Sequence, residues 1–274
     1  MSGRVPVRGG SHLRRGRPVR RASARVSLSR VAAVLVLLGA SLALARANDA
    51  SAFPIRAVDI EGARHTQPGL VEAALLAGGG PGNVFHYDTS AAAAALERLP
   101  PVRTAHVRAV LPDRLVATLE ERVPVVAWAV GEGTFLVDGE GLLFARVPAG
   151  GEPNVPSLSD LRAAGAGLAV GSRVSAVELR VSRQLLALSP TVLGSAAAGL
   201  VVVLGSQDGF TVSPTGSSTW VAVFGLYGEV TRGAEIVPLQ VQCLASLLAE
   251  QGEGSVGRVV LSPEGQSCGT FGAP

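Results

Sequence analysis

Apolar residues follow three different patterns along the chain. From Val31 to Ala45 they form the one long apolar run, corresponding to about 22 Å of helix at ~1.5 Å per residue, against a hydrocarbon core of ~30 Å. Val26 and Leu28 extend the run, and Arg30 and Arg46 can reach back to headgroups, so the segment is expected to enter a membrane. From Ile55 to Leu119 the pattern switches between strand and helix periods. Ile55, Val58 and Ile60 form a short extended run ended by Gly62, and His65-Thr66-Gln67-Pro68 reads as a turn into a helix. Leu70, Ala73, Ala74 and Ala77 follow helical spacing until Gly78 to Gly80 stops them. A second helix starts at Asp88 or Thr89, either able to accept a backbone N–H, carries Ala92, Leu96 and Leu99 on one stripe, and ends at Pro100-Pro101. Two alternating strands follow, Ala105-Val107-Ala109-Leu111 and Leu115-Ala117-Leu119, turned at Pro112-Asp113. The order β-α-α-β-β places two helices on one face of a three-stranded sheet.

Beyond Ala127 to Gly133, where a domain boundary is expected, strands become short and glycine-rich. Thr134 to Val137 and Leu142 to Val147 flank a hairpin signal at Asp138 to Gly141, and a Pro156-bearing stretch follows. Val177, Val181, Leu185 and Leu188 make a helical stripe within Val174 to Leu188. Leu200 to Leu204, Phe210 to Val212 and Trp220 to Phe224 read as strands, Ile236 to Ala249 as a helix with Leu239, Leu244 and Leu248 apolar, and Val256 to Leu261 as a last strand. The expected fold class is α+β: one N-terminal transmembrane helix (31–47), a small β-α-α-β-β domain (53–126), a larger mixed domain of mostly antiparallel strands (127–262) and a tail (263–274). No Ser/Pro linker separates the two domains, so they should be in contact.

Charge adds orientation. Ten arginines lie between Arg4 and Arg46 with no acidic residue before Asp49, whereas the remainder holds 14 arginines and 21 acidic residues and there is no lysine. The net charge of +3 thus divides into +10 and −7. The positive-inside bias keeps such a basic segment, 1–30, in the cytoplasm as a disordered tail and exports the rest. Its expected partner is anionic lipid rather than nucleic acid, since the exported part offers no basic face. Ala45-Arg46-Ala47 is also a small-x-small site, which keeps a cleaved signal peptide as the alternative to an uncleaved anchor.

Candidate chemistry is sparse. His12, His65, His86 and His106 are spread without metal spacing, and none pairs with a cysteine at a zinc interval. Gly78 to Gly82 has no Lys-Ser/Thr after it and reads as a helix stop rather than a phosphate loop. No G-x-S-x-G elbow occurs, and Ser217-Ser218 has no base nearby in sequence. Glu120 and Glu121 would point to opposite faces of a strand, so they are no catalytic dyad. The expectation is a non-enzyme with no cofactor and no small-molecule substrate. Cys243 and Cys268 both lie in the exported part, where a disulfide and a buried-plus-free pair stand as equal readings.

Several ordered stretches resemble a known family. They are Ile55 to Gly62, Phe85-His86-Tyr87-Asp88, Leu99 to Val107, Leu111 to Leu115 and Glu120 to Val125. Together, behind one N-terminal anchor, they are similar to the FtsQ-type POTRA domain of the bacterial FtsQ/DivIB family, and the strand-helix-strand ending resembles that family's β domain. The family often has a lysine before its last helix, where this chain has Arg232 and Glu235. The resemblance implies a bitopic scaffold of the division septum in the cytoplasmic membrane, with a cytoplasmic N-terminus. Its partners would be small coiled-coil proteins of the FtsB and FtsL kind, and through them the septal peptidoglycan synthase. A sheet edge can accept a partner strand, and the expected partner-binding residues are Val256, Arg258, Val259, Val260, Leu261 and Ser262, with Arg258 facing an acidic partner. A POTRA protein of outer-membrane assembly or secretion would need a following β-barrel, whose ten-residue alternating segments are not legible here. An exported enzyme would need a convergent polar constellation, which is not legible either.

Overall fold

A computed structural model describes residues 27–47, 53–80, 82–262 and 268–271. The chain divides into two compact units, residues 1–48 and 49–274. The described part of the first is helix α1, Leu28–Ala47. It begins three residues ahead of the apolar run, and its 20 residues give about 30 Å, which matches a hydrocarbon core. Its large apolar side chains are exposed all round, as on a helix solvated by lipid, and 19 of its residues are long and apolar enough to cross a membrane. The expected disordered tail lies outside the described residues up to 26, and Leu28 to Arg30 belong to α1.

The second unit opens with β1 (Ala57–Glu61), α2 (Pro68–Gly78), α3 (Thr89–Leu96), β2 (Val102–Val110) and β3 (Arg114–Glu121). The sheet order is β1-β3-β2, with β1 parallel and β2 antiparallel to β3. A parallel pair needs a crossover, which α2 and α3 supply, whereas β2 and β3 need only the turn at Leu111 to Asp113. Asp88 is the N-cap of α3, its carboxylate accepting the Ala91 N–H at 2.8 Å. The core joins Val71, Leu75, Tyr87, Ala92 and Leu96 to Ala105, Leu115, Ala117 and Leu119. The α2 stripe differs from the expected one: Val71 and Leu75 face the sheet, while Leu70 is half exposed. Two bulky side chains one turn apart fill the space between helix and sheet better than alanines, and the Tyr87 hydroxyl fixes their phase by donating to Leu75 O at 2.8 Å.

The remaining strands form one nine-stranded sheet. They are β4 (Val126–Val130), β5 (Gly133–Val137), β6 (Leu143–Arg146), β7 (Ser157–Asp160), β8 (Gly199–Gly205), β9 (Gly209–Thr215), β10 (Val221–Gly225), β11 (Arg258–Val260) and β12 (Thr270–Phe271). Their order is β12-β11-β10-β9-β8-β7-β4-β5-β6, parallel at β4/β7, β7/β8 and β10/β11 and antiparallel elsewhere. Helices α4 (Ala176–Leu186) and α5 (Val237–Gln251) are the crossovers for the β7/β8 and β10/β11 pairs, and they pack with the sheet in a single core. Within α5 the buried positions are Val237, Gln240, Leu244 and Leu248, and the expected Leu239 points outward.

Three strands were not expected. Strand β4 has the unbroken apolar run of a strand buried on both faces, with Trp128 wholly enclosed. Strand β7 reads as polar, yet Leu158 fills the core and buried Asp160 accepts the Trp128 indole N–H at 3.0 Å and pairs with Arg162 at 2.9 Å. Strand β12 lies in the stretch expected to be a loose tail.

The two sheets meet through β3 and the β5–β6 hairpin. Arg122 pairs with Asp138 at 2.6 Å and with Glu140 at 3.3 Å. The other Asp138 oxygen accepts the Glu140 and Leu142 N–H groups at 2.9 Å each, so one carboxylate shapes the turn and anchors the neighbouring domain. Beside it the His65 ring meets Phe144 edge-on at 5.7 Å. Phe144 belongs to a second apolar cluster, with Leu136, Leu142 and Ala145.

Candidate partner interface

Each expected partner-binding residue has a definite place. Val256, Val259 and Leu261 are buried in the main core, so their side chains serve packing rather than recognition. Arg258 and Val260 alternate outward with them, as a strand dictates. Arg258, expected to offer its charge to an acidic partner, is paired with Asp208 at 2.5 Å within the chain. The Ser262 carbonyl accepts from Gln240 Nε2 at 3.5 Å. The expectation that Val256 to Ser262 forms the sheet edge is also corrected, because β12 pairs beyond it, Val260 with Thr270 and Val259 with Phe271. The two-residue strand was illegible because Gly269-Thr270-Phe271-Gly272 is too short for a period to register.

A polar cluster fixes the end of β10 against β11 and α5. Buried Gln240 on α5 donates to Phe224 O at 3.1 Å, and its side-chain oxygen accepts from the Tyr227 hydroxyl. Arg232 donates to the same Phe224 carbonyl at 2.6 Å and lies 5.4 Å from the centre of the Tyr227 ring. Burial pushes the Tyr227 phenol up to about 12, despite the opposing charge of Arg232. Arg232, one of the two charged residues noted before the last helix, braces backbone. Gln240 escaped the sequence reading because one glutamine on an apolar helix face reads as a gap in the stripe. Around this cluster Leu226, Val230, Leu239 and Val260 present apolar side chains to solvent.

Helix α5 is tied down at its middle and just beyond its C-terminus. Cys243 is disulfide-bonded to Cys268, with 5.0 Å between their Cα atoms, which resolves the two readings of these cysteines in favour of the bridge. At the far end Glu253 accepts from the Trp220 indole at 2.8 Å, the Ala196 N–H at 3.0 Å and the Ser195 hydroxyl. Burial would raise this carboxyl, but those hydrogen bonds outweigh it and hold it at about 2.

Glu120 and Glu121 do diverge: Glu120 accepts from Thr104, while Glu121 caps the turn before α2, accepting the His65 and Thr66 N–H groups at 2.8 Å. Burial would raise Glu121, yet the Thr66 and His65 hydrogen bonds bring it below the usual range. Among the described residues no three His, Cys, Asp or Glu side chains are grouped to hold a metal. His12 lies outside the described residues.

Comparison with known proteins agrees with this architecture. Residues 53–122 match the family model of the POTRA domain, FtsQ-type. Over 75 residues the chain is 41% identical to the cell division protein FtsQ of Mycobacteroides abscessus, covering 27% of this chain and 24% of that one. It is 37% identical over 93 residues to FtsQ of a Jannaschia species, covering 34% and 30%. A longer match, 28% over 168 residues, joins it to FtsQ of Chloroflexus aurantiacus and covers 60% and 59%. The matched stretches thus span from a quarter to about three fifths of these relatives. Residues 53–122 thus match the FtsQ-type POTRA domain, and over the stretches matched the chain is similar to cell division proteins named FtsQ.

Proposed function

We propose that this protein is a membrane-anchored, non-catalytic scaffold of the division septum that recruits and links other division proteins while septal peptidoglycan is made. The observation that carries the reading is the FtsQ-type POTRA domain joined to a nine-stranded sheet with a short outer edge. Helix α1 supplies the anchor, with the arginine-rich segment in the cytoplasm beside anionic headgroups and residues 49–274 outside. Partners of the FtsB and FtsL kind, themselves single-pass coiled-coil proteins, would be held by strand addition at the β11/β12 edge, with the apolar side chains of Leu226, Val230 and Val260 alongside. The clamp of Arg122 on Asp138 supports a stiff arm, since it joins the POTRA sheet to the strand sheet near their shared junction.

The test is a fluorescent fusion followed in dividing cells with the native copy depleted. A midcell band with filamentous growth on depletion is the expected result. An even peripheral signal with normal septation would overturn the reading.

A further inference from the structure

Helix α4 has two faces. Val181 and Leu185 fill the core, while Ala176, Arg180, Arg183, Gln184 and Ala187 recur at helical spacing along a cavity of about 530 Å³ that Gly139 and Glu140 of the β5–β6 turn also line. The positive charge of this cavity is not neutralised by the chain. The Glu140 carboxylate is engaged by Arg122 at 3.3 Å, and its carbonyl accepts from Arg173 at 3.3 Å. Arg162 is paired with Glu178 on the same helix, whereas among the described residues Arg180 and Arg183 meet no carboxylate. Arg183 stands in the last turn, where the helix dipole favours a cation, but Arg180 lies a turn earlier and is repelled by its neighbour three positions on. A second observation concerns the same cavity. Gln184 lines it, and its buried Oε1 accepts no hydrogen bond, an arrangement that destabilises a fold until a donor reaches it. Two unpaired guanidinium groups and one unpaired acceptor describe a ligand that brings carboxylates together with an N–H. An extended acidic segment brings both, because its side chains two residues apart share a face at about 6–7 Å, close to the roughly 5–6 Å between side chains at i and i+3 on a helix.

We propose that the cavity beside α4 is a docking site for an extended acidic segment of a partner protein, with Arg180 and Arg183 each taking a carboxylate and Gln184 Oε1 accepting a backbone N–H. The site goes beyond strand addition at the β11/β12 edge and stands without it, since α4 crosses from β7 to β8, three strands from β11.

The test uses the full chain in detergent micelles and a fluorescein-labelled peptide with the core Ala-Glu-Ala-Glu-Ala, read by anisotropy at low ionic strength beside the same peptide with glutamine in place of glutamate. Arg180→Glu and Arg183→Glu are each expected to weaken binding about tenfold or more, whereas Arg108→Glu, the same change of charge at an exposed position of β2, is expected to stay within about twofold. Gly139→Phe acts from the facing turn. A β-carbon there meets no atom within 4 Å, so the ring takes up cavity space without collision, and affinity is expected to fall about tenfold with an unchanged melting temperature. Gln184→Met keeps the shape and removes the acceptor, so the melting temperature should hold or rise while affinity drops by about threefold or more. Equal weakening by Arg108→Glu would reduce the attraction to net charge, and full affinity in Gly139→Phe or Gln184→Met would place the peptide elsewhere. Equal binding of the glutamine peptide, or no binding of either, would remove the need for carboxylates. Each of these results overturns the proposal, while septal localisation, read separately in cells, decides the scaffold reading.

Discussion

Single residues in this protein act mainly as fasteners, and the informative ones are charged. Arg122 bridges two sheets to a carboxylate that is almost wholly buried, so removing the arginine strands that charge. Arg122→Ala should therefore cost about 2–4 kcal/mol in thermal or urea unfolding, and Asp138→Ala at least as much because it also frees the Glu140 and Leu142 amides. Glu253 sets the acid limit of the α5 end. Its folded carboxyl titrates near 2, below the ordinary value of about 4.3, so its contribution is complete above that ordinary value and declines as pH falls toward 2. Tryptophan fluorescence, which includes Trp220 beside the carboxylate, should report a transition in that window, and Glu253→Gln should flatten it. These fasteners were hardly legible in sequence. Arg122 and Asp138 are 16 positions apart, and Glu253 and Ser195 are 58 apart; only the folded chain brings them together.

Among the elements, legibility followed periodicity. Helix α3 and strands β2 and β3 were readable because Ala92, Leu96, Ala105 and Ala117 stand at regular spacing between strong breakers. Strand β7 was hidden because its short run Ser157–Asp160 has one apolar residue, and its buried Asp160 is satisfied by an indole 32 positions away. The phase of α2 was misjudged because alanine spacing carries less packing information than Val71 and Leu75. At the candidate edge, the residues were legible as a strand but not as a strand already covered. Since the Val260 amide faces away from β10 and toward Thr270 of β12, Val260→Pro should leave the β10/β11 pairing in place while breaking the β11/β12 ladder and with it the proposed docking edge. Partner affinity measured by fluorescence anisotropy should fall to background, and an unaltered affinity would sink strand addition as the mode of contact.

For the whole molecule, the proposed function makes α1 the element on which place depends. An arginine at the middle of α1, Leu38→Arg, should lower insertion by about 2.5–3.5 kcal/mol, read as loss from the membrane fraction and, with it, loss of midcell signal. The sheet order has a consequence for how such a chain takes shape. From β8 to β12 every strand lies beside the one synthesised just before it, and only β7 reaches back past a completed meander to β4. Made from the N-terminus, the chain can lay each new strand against the margin left by its predecessor, through tight turns at β8/β9 and long helical crossovers, α4 and α5, at β7/β8 and β10/β11. Growth runs one way, from the hairpin beside the POTRA domain outward, and the β11/β12 margin is the last to be made.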